Sequence, residues 1–251
     1  MEILVVNPNR VDGCTRLIHA AARAAAAPGT TVTTLAPGRG PFELTGQSEV
    51  LFSAVGVLEV IARTPADAVV MAGFGEPGKE AAQELTAAPV LDITECGPLL
   101  ARALGASYTI VTSTTAAVPI VEDRLRALRL DAACAAVLAS GQSVPDLVER
   151  RERALEAVTG VAALAATEVV VLGCGGMAGM AADVAAATGR VVVDGVGAAV
   201  KLAESLGALG LAPRQGASPA GHRLAVRRLI RREAGARGRL RRSPSPAACA
   251  A

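Results

Sequence analysis

Residues 167–207 read TEVVVLGCGGMAGMAADVAAATGRVVVDGVGAAVKLAESLG. An apolar, β-branched run ends in a glycine-rich turn, which opens into a stretch of helical composition. A second short run and a second helical stretch follow. Residues 67–105, DAVVMAGFGEPGKEAAQELTAAPVLDITECGPLLARALG, repeat that plan. Aligned through the glycines, Ala72 meets Gly173, Gly73 meets Cys174, Gly75 meets Gly176 and Gly78 meets Gly179. After a one-residue slip, Asp92 meets Asp194 and Leu104–Gly105 meets Leu206–Gly207. Further upstream, VVNPN (5–9) can be laid on VTSTT (111–115). Any two parallel-sheet units share alternating strands and helices, but they rarely share glycine spacing. The chain therefore reads as two similar α/β halves with a cleft between them.

The same alternation runs outward from the repeat. Strands are expected at 3–6, 31–35, 68–72, 90–93, 108–112, 135–139, 169–172 and 191–193. Helices are expected over 15–26, 48–64, 118–128, 146–163 and 195–206. Strands separated by helices of this length pair in parallel, and ligands of such sheets sit at the carboxyl ends of the strands. The first lobe is expected to cover residues 1–97, with a closing segment at about 210–234 returning to it. The second lobe covers 98–209.

Composition agrees with that class. Apolar residues make up 51% of the 251, yet aromatics only 2%, so the side chains suit close packing of helices on sheets. No run approaches the 18 or so apolar residues of a membrane span. The chain enters a strand-like run at Glu2, which predicts no signal peptide and hence a cytoplasmic protein. Five scattered cysteines without a CxxC pair, and only two histidines, argue against a zinc site or a disulfide framework. From His222 onward nine arginines stand against one glutamate. That basic stretch, 235–251 in particular, has the composition of a disordered tail. It lacks the aromatic residues that stack bases, so nucleic acid is not the expected partner. A homo-oligomer stays open.

Within the repeat, Cys174 follows the strand run VVVL and precedes the glycine-rich turn. A thiol at that position, near a helix N-terminus and free backbone N–H groups, is expected to have its pKa depressed. The N–H groups around Gly75, Gly175 and Gly176 would hold a substrate carboxylate or a developing enolate. Polar residues at the other strand ends complete the candidate set: Asn7 and Asn9 around Pro8, then Thr112 and Thr114 in a hydroxyl-rich turn with Ser113 and Thr115. Gly73 and Phe74 line the first half's turn. Helix capping and turn formation explain the same polar residues equally well.

The blocks NPN (7–9), GFGEPGKEAA (73–82), PVLDITE (89–95) and LGCGGMAG…VVVDGVGAAVKLAE (172–204) resemble hydantoin and allantoin racemases of the aspartate/glutamate racemase superfamily. The resemblance covers roughly residues 1–210. It implies an α/β fold of two similar doubly wound parallel-sheet lobes related by a pseudo-two-fold axis, with substrate in the interlobe cleft. It further implies no cofactor and no metal. The substrate would be a small carboxylate or a cyclic ureide of the hydantoin type. Racemising relatives use two cysteines on opposite faces of the acidic carbon, because one group tends to return the proton to the side it came from. The second of these corresponds to Cys174. The first would stand at Gly73.

That glycine opens alternatives. A glycine paired with one cysteine resembles arylmalonate decarboxylases of the same superfamily, in which loss of CO₂ creates the enolate and one thiol protonates it. Cys14, Cys96, Glu76 and Glu95 lie near predicted strand ends as candidate substitutes for the missing thiol, and Arg10 follows the NPN turn. A non-catalytic small-molecule binder is a third reading. The spelling Gly73-x-Gly75-x-x-Gly78 also matches a dinucleotide fingerprint, but it arises only because glycine stands at the cysteine position.

Overall fold

A computed structural model of the chain describes residues 1–75, 77–213 and Arg228. Glu76, the basic tail and nearly all of the expected closing segment at 210–234 lie outside the described residues.

The first half forms β1 (Glu2–Val6), β2 (Thr31–Leu35), β3 (Ala68–Met71) and β4 (Val90–Asp92), in spatial order β2-β1-β3-β4. The second forms β5 (Tyr108–Thr112), β6 (Cys134–Ala139), β7 (Val169–Gly173) and β8 (Val191–Asp194), in order β6-β5-β7-β8. Among the described residues all six strand pairings are parallel. Each of the eight expected strands is present to within one residue at either end. In both sheets the winding reverses between the first and third strands of the half, so a crevice opens at the carboxyl ends of β1 and β3 and of β5 and β7. Asn7 and Ala72 follow the paired residues Val6 and Met71. Ser113 and Cys174 follow the paired residues Thr112 and Gly173.

The helices are α1 (Asp12–Ala25), α2 (Gln47–Arg63), α3 (Lys79–Leu85), α4 (Ile93–Leu104), α5 (Ala117–Leu128), α6 (Val144–Glu149), α7 (Arg151–Ala163), α8 (Ala181–Thr188) and α9 (Gly195–Ala208). The single helix expected over 146–163 is two. Arg150 leaves helical geometry (φ −119°, ψ 48°), and a separate start is made upstream where the Ser143 hydroxyl accepts from the Asp146 N–H at 3.2 Å.

The repeat holds in detail. Asp92 caps α4 by accepting from the Glu95 N–H, and Asp194 caps α9 by accepting from the Val196 N–H, both at 2.8 Å. Gly78 (φ 85°) and Gly179 (φ 82°) adopt the same left-handed conformation, which glycine takes at no steric cost.

Each half lends its last helix to the other. Helix α4 packs on β7, where Gly97 backs onto Val171, while α9 packs on β3 and α1. The two cross where Gly195 abuts Ile93. A shared central core results, in which Ile3, Val5 and Val70 belong to one cluster with Val169, Val171 and Ala199. Helix α1 contributes Cys14, Ile18 and Ala22, spaced four residues apart on its buried face.

Candidate active site

Cys174 is held in extended conformation (φ −157°, ψ 136°) at the end of β7 and opens a 3₁₀ turn, Gly175–Met177. The turn lies hard against the other half. A Cβ on Gly175 would stand 2.6 Å from the Ala72 carbonyl oxygen and 3.0 Å from Ile18 Cδ1, so only glycine fits. The thiol is half-buried, and the nearby Gly176 and Met177 N–H groups and Ser113 hydroxyl favour its charged form. Burial nevertheless outweighs these donors and pushes the thiol above its ordinary pKa, and the Glu43 carboxylate adds to the rise. The depressed pKa expected from a helix dipole is therefore not found. A three-residue turn aligns too few peptide units to act as a helix terminus, and α8 begins only at Ala181.

Opposite, at the end of β3, a Cβ on Gly73 would lie 2.4 Å from Pro8 Cγ. The proline ring thus occupies the space a side chain at 73 would need. The loop is tied by Thr94, whose hydroxyl accepts from the Gly75 N–H (3.0 Å) and donates to the Gly73 carbonyl (3.4 Å). Gly75 also faces Ile120 of the second half, 2.6 Å from where its Cβ would be. Phe74 is half-buried against the shared core.

Asn7 and Asn9 build the NPN turn. The Asn7 amide donates to Asn9 Oδ1 (3.0 Å) and Thr15 Oγ1 (2.9 Å), and its oxygen accepts from the Asn9 N–H (3.2 Å). Asn9 Oδ1 also accepts from the Val11 N–H, and Asn9 Nδ2 donates to Cys14 Sγ at 3.6 Å. In the second half, the Thr112 hydroxyl is spent on the Gly173 carbonyl at 3.0 Å. The Thr114 hydroxyl differs from these. It is buried and has no hydrogen-bond partner.

The candidate substitutes for a second thiol fall in different places. Cys14 is buried on α1, its thiol pushed up to about 12 by burial and by nearby Cys174. Cys96 is buried within α4, also at about 12, chiefly through desolvation. Glu95 is ion-paired with Lys79, which also binds buried Asp92 at 2.9 Å. Arg10 is exposed, donating to the Gly40 carbonyl at 3.4 Å. Two residues near the thiol carry no signal in the sequence. Arg151 donates to the Gly176 and Ala178 carbonyls at 2.7 and 2.6 Å, although its setting, RERALE, has the composition of a solvated helix face. Glu43 reaches the second half from a loop with no periodic pattern. Among the described residues, no group of three or more His, Cys, Asp or Glu is placed to hold a metal ion, and no helix is long and apolar enough to cross a membrane.

A family model described as Asp/Glu/Hydantoin racemase matches residues 3–203. The chain belongs to that family. A hydantoin racemase of Paenarthrobacter aurescens is 34% identical over 222 residues, covering 84% of this chain and 92% of the relative. The solved allantoin racemase of Pseudomonas fluorescens is 44% identical with a TM-score of 0.84, covering 88% of this chain and 97% of that one. A solved mutant of arylmalonate decarboxylase, 20% identical with a TM-score of 0.51 over 86% and 97% of the two chains, shares the fold. The two similar α/β halves read from the glycine repeat are thus the two lobes of the family's fold.

Proposed function

We propose that this family member is a cofactor-independent racemase-like enzyme acting at the acidic carbon of a small carboxylate or hydantoin-type cyclic ureide, with Cys174 as acid/base. The observation that carries the reading is the setting of Cys174. It stands at the switch point of the second sheet, against the first half, near the N–H groups of Gly176 and Met177 and the Ser113 hydroxyl. The relatives named for hydantoin and allantoin racemisation support this substrate class. The Cys174 thiolate would take the proton from carbon, leaving the electron pair delocalised into the adjacent carbonyl. A proton delivered from water on the opposite face would complete inversion, and the proton held by Cys174 would pass to solvent. The four described cysteines are all free thiols, which fits a reducing cytoplasm.

One observation favours a second reading. Pro8 fills the side-chain space at Gly73, so no thiol faces Cys174 from that strand end. In a malonate-type substrate, cleavage of the C–CO₂⁻ bond would itself leave the electron pair on the enolate, and Cys174 would only supply a proton.

Proton NMR in D₂O with hydantoins, amino acids and arylmalonates, comparing wild type with Cys174→Ala, tests both. Cys174-dependent deuterium exchange with loss of optical rotation is the expected result. Single-handed deuterated product with CO₂ release would replace it with decarboxylation. A wild-type rate no faster than Cys174→Ala on the whole panel would overturn the catalytic reading in favour of a binder.

A further inference from the structure

We propose that the outer face of α2, with the adjoining loop at 39–42, is an interface that takes a second copy of this chain about a two-fold axis. The run Val50–Ala62, VLFSAVGVLEVIA, holds one charged residue, Glu59, so α2 is apolar on both sides. A helix that is apolar all round is ordinarily buried all round. The inner side obeys that rule, with Val57 and Ile61 packed in one cluster with Leu4, Val6 and Met71. The outer side does not. Leu51 and Phe52 are 72% and 73% exposed, and Val55, one turn on, is exposed with them. Phe42 in the loop is exposed too, so two of the chain's three phenylalanines lie in water on adjoining segments.

The repeat supplies a comparison within the molecule. Helix α7 precedes β7 as α2 precedes β3, and its exposed positions include Glu152, Arg153 and Glu156. A charged outer face is therefore what this place in the fold carries when it meets water. The apolar face of α2 answers to a different neighbour.

Area, shape and charge select a second copy as that neighbour. At roughly 200 Å² for each phenylalanine and somewhat less for leucine and valine, the four exposed side chains present on the order of 400 Å² of apolar surface. That is about half of the roughly 800 Å² each partner buries in a stable interface, with a polar rim to supply the rest. A two-fold contact needs a projection and its socket on the same surface. Beside exposed Phe52 lies a groove of about 630 Å³ between the loop and α2, walled by Gly40, Pro41 and Val55. Arg39 and Glu49 line the same groove, so it carries both signs of charge and a copy of itself can offer each the opposite sign.

Sedimentation velocity of the full chain from micromolar to sub-millimolar concentration tests the proposal, with wild type, Phe52→Glu and Leu164→Glu compared. Leu164 is an exposed leucine at the end of α7, outside the surface in question. Wild type should sediment as a dimer, or as a larger assembly that Phe52→Glu reduces in mass. A carboxylate at the centre of the contact should raise the dissociation Kd by roughly tenfold or more, while Leu164→Glu should associate as wild type does. The thermal midpoint of wild type should also rise with protein concentration, and that of Phe52→Glu should not. Leu51→Arg repeats the comparison should Phe52→Glu not fold. A wild type that stays monomeric throughout overturns the proposal and leaves the face to a different protein or to the chain beyond Pro213. Association unchanged in a folded Phe52→Glu, or weakened equally by Leu164→Glu, overturns it as well. No substrate enters the measurement, so its outcome is independent of the racemase reading.

Discussion

Glu43, in the first half, accepts a hydrogen bond from the backbone N–H of Val144 at the start of α6 in the second, at 3.1 Å. The contact anchors a carboxylate within electrostatic range of Cys174, where it adds to the effect of burial in keeping the thiol protonated. Because the pKa is raised, any rate that depends on the thiolate should climb with pH through the alkaline range, beyond the ordinary thiol value of about 8.5. Glu43→Gln keeps an acceptor for Val144 and removes the charge. The midpoint of the pH–rate profile should then fall, with a gain in thiolate at neutral pH. A midpoint that stays put, or rises, would show that the carboxylate does not act on the sulfur.

The unpartnered hydroxyl of Thr114 separates binding from stability. In Thr114→Val a buried donor with no bond is replaced by a methyl, so the thermal midpoint should stay the same or rise. If that hydroxyl binds substrate, KM should increase by about tenfold, corresponding to roughly 1.4 kcal/mol, with little change in kcat. An unaltered KM would remove Thr114 from the site.

Restoring a thiol at position 73 should be costly. In Gly73→Cys the new Cβ meets the Pro8 ring, and overpacking of this kind costs about 1–3 kcal/mol. For a chain of this size that is a fall of roughly 2–4 °C in thermal midpoint per kcal/mol. Adding Pro8→Ala removes the obstructing ring atoms, so the double variant should lose less than the two single losses summed. Strict additivity in differential scanning fluorimetry would mean the ring is not what resists the substitution.

Lys79 and Asp92 form an ion pair in which the aspartate side chain is fully buried. Lys79→Met would leave that carboxylate with a more distant cation, Arg124 at 3.8 Å, and should cost about 3 kcal/mol or more. Burial works against the charge on Lys79, but Asp92 and Glu95 more than offset it and hold its pKa above the ordinary value. A raised pKa stabilises the fold fully below the unfolded value of about 10.4 and ceases to do so as pH rises through the folded one. Urea denaturation should therefore show a constant gap between wild type and variant from neutral to mildly alkaline pH, narrowing above that range. A gap that already narrows as the solution is made mildly acidic would assign the effect to a different group.

The glycine spacing shared by 67–105 and 167–207 is enough to read the strands and the two halves, because Gly78 and Gly179 mark left-handed turns and Gly73, Gly75 and Gly173 mark close approaches to neighbouring side chains. The polar residues are harder to read. Asn7, Asn9, Thr112 and Thr114 carry similar chemistry in similar turns, yet Asn7 and Asn9 are bonded within their own turn, Thr112 to the neighbouring strand, and the Thr114 hydroxyl to nothing. That difference depends on which neighbours the other strands bring, which local sequence does not encode. Arg151 is hidden for the same reason. Its partners lie some 25 residues away, and nothing in RERALE separates it from Arg150 or Arg153. For the Cys174 pKa the sequence points the wrong way, because a glycine-rich turn reads as the start of a helix, whereas only a single 3₁₀ turn forms there.

The exchange of α4 and α9 bears on how the molecule melts. A sheet whose covering helix belongs to the neighbouring lobe cannot keep its apolar face dry once that neighbour unravels. Two lobes that look separable on a strand diagram are thus one thermodynamic body, and a calorimeter should record a single endotherm rather than two. A protease cut between them would release fragments that hold their shape only while they hold each other.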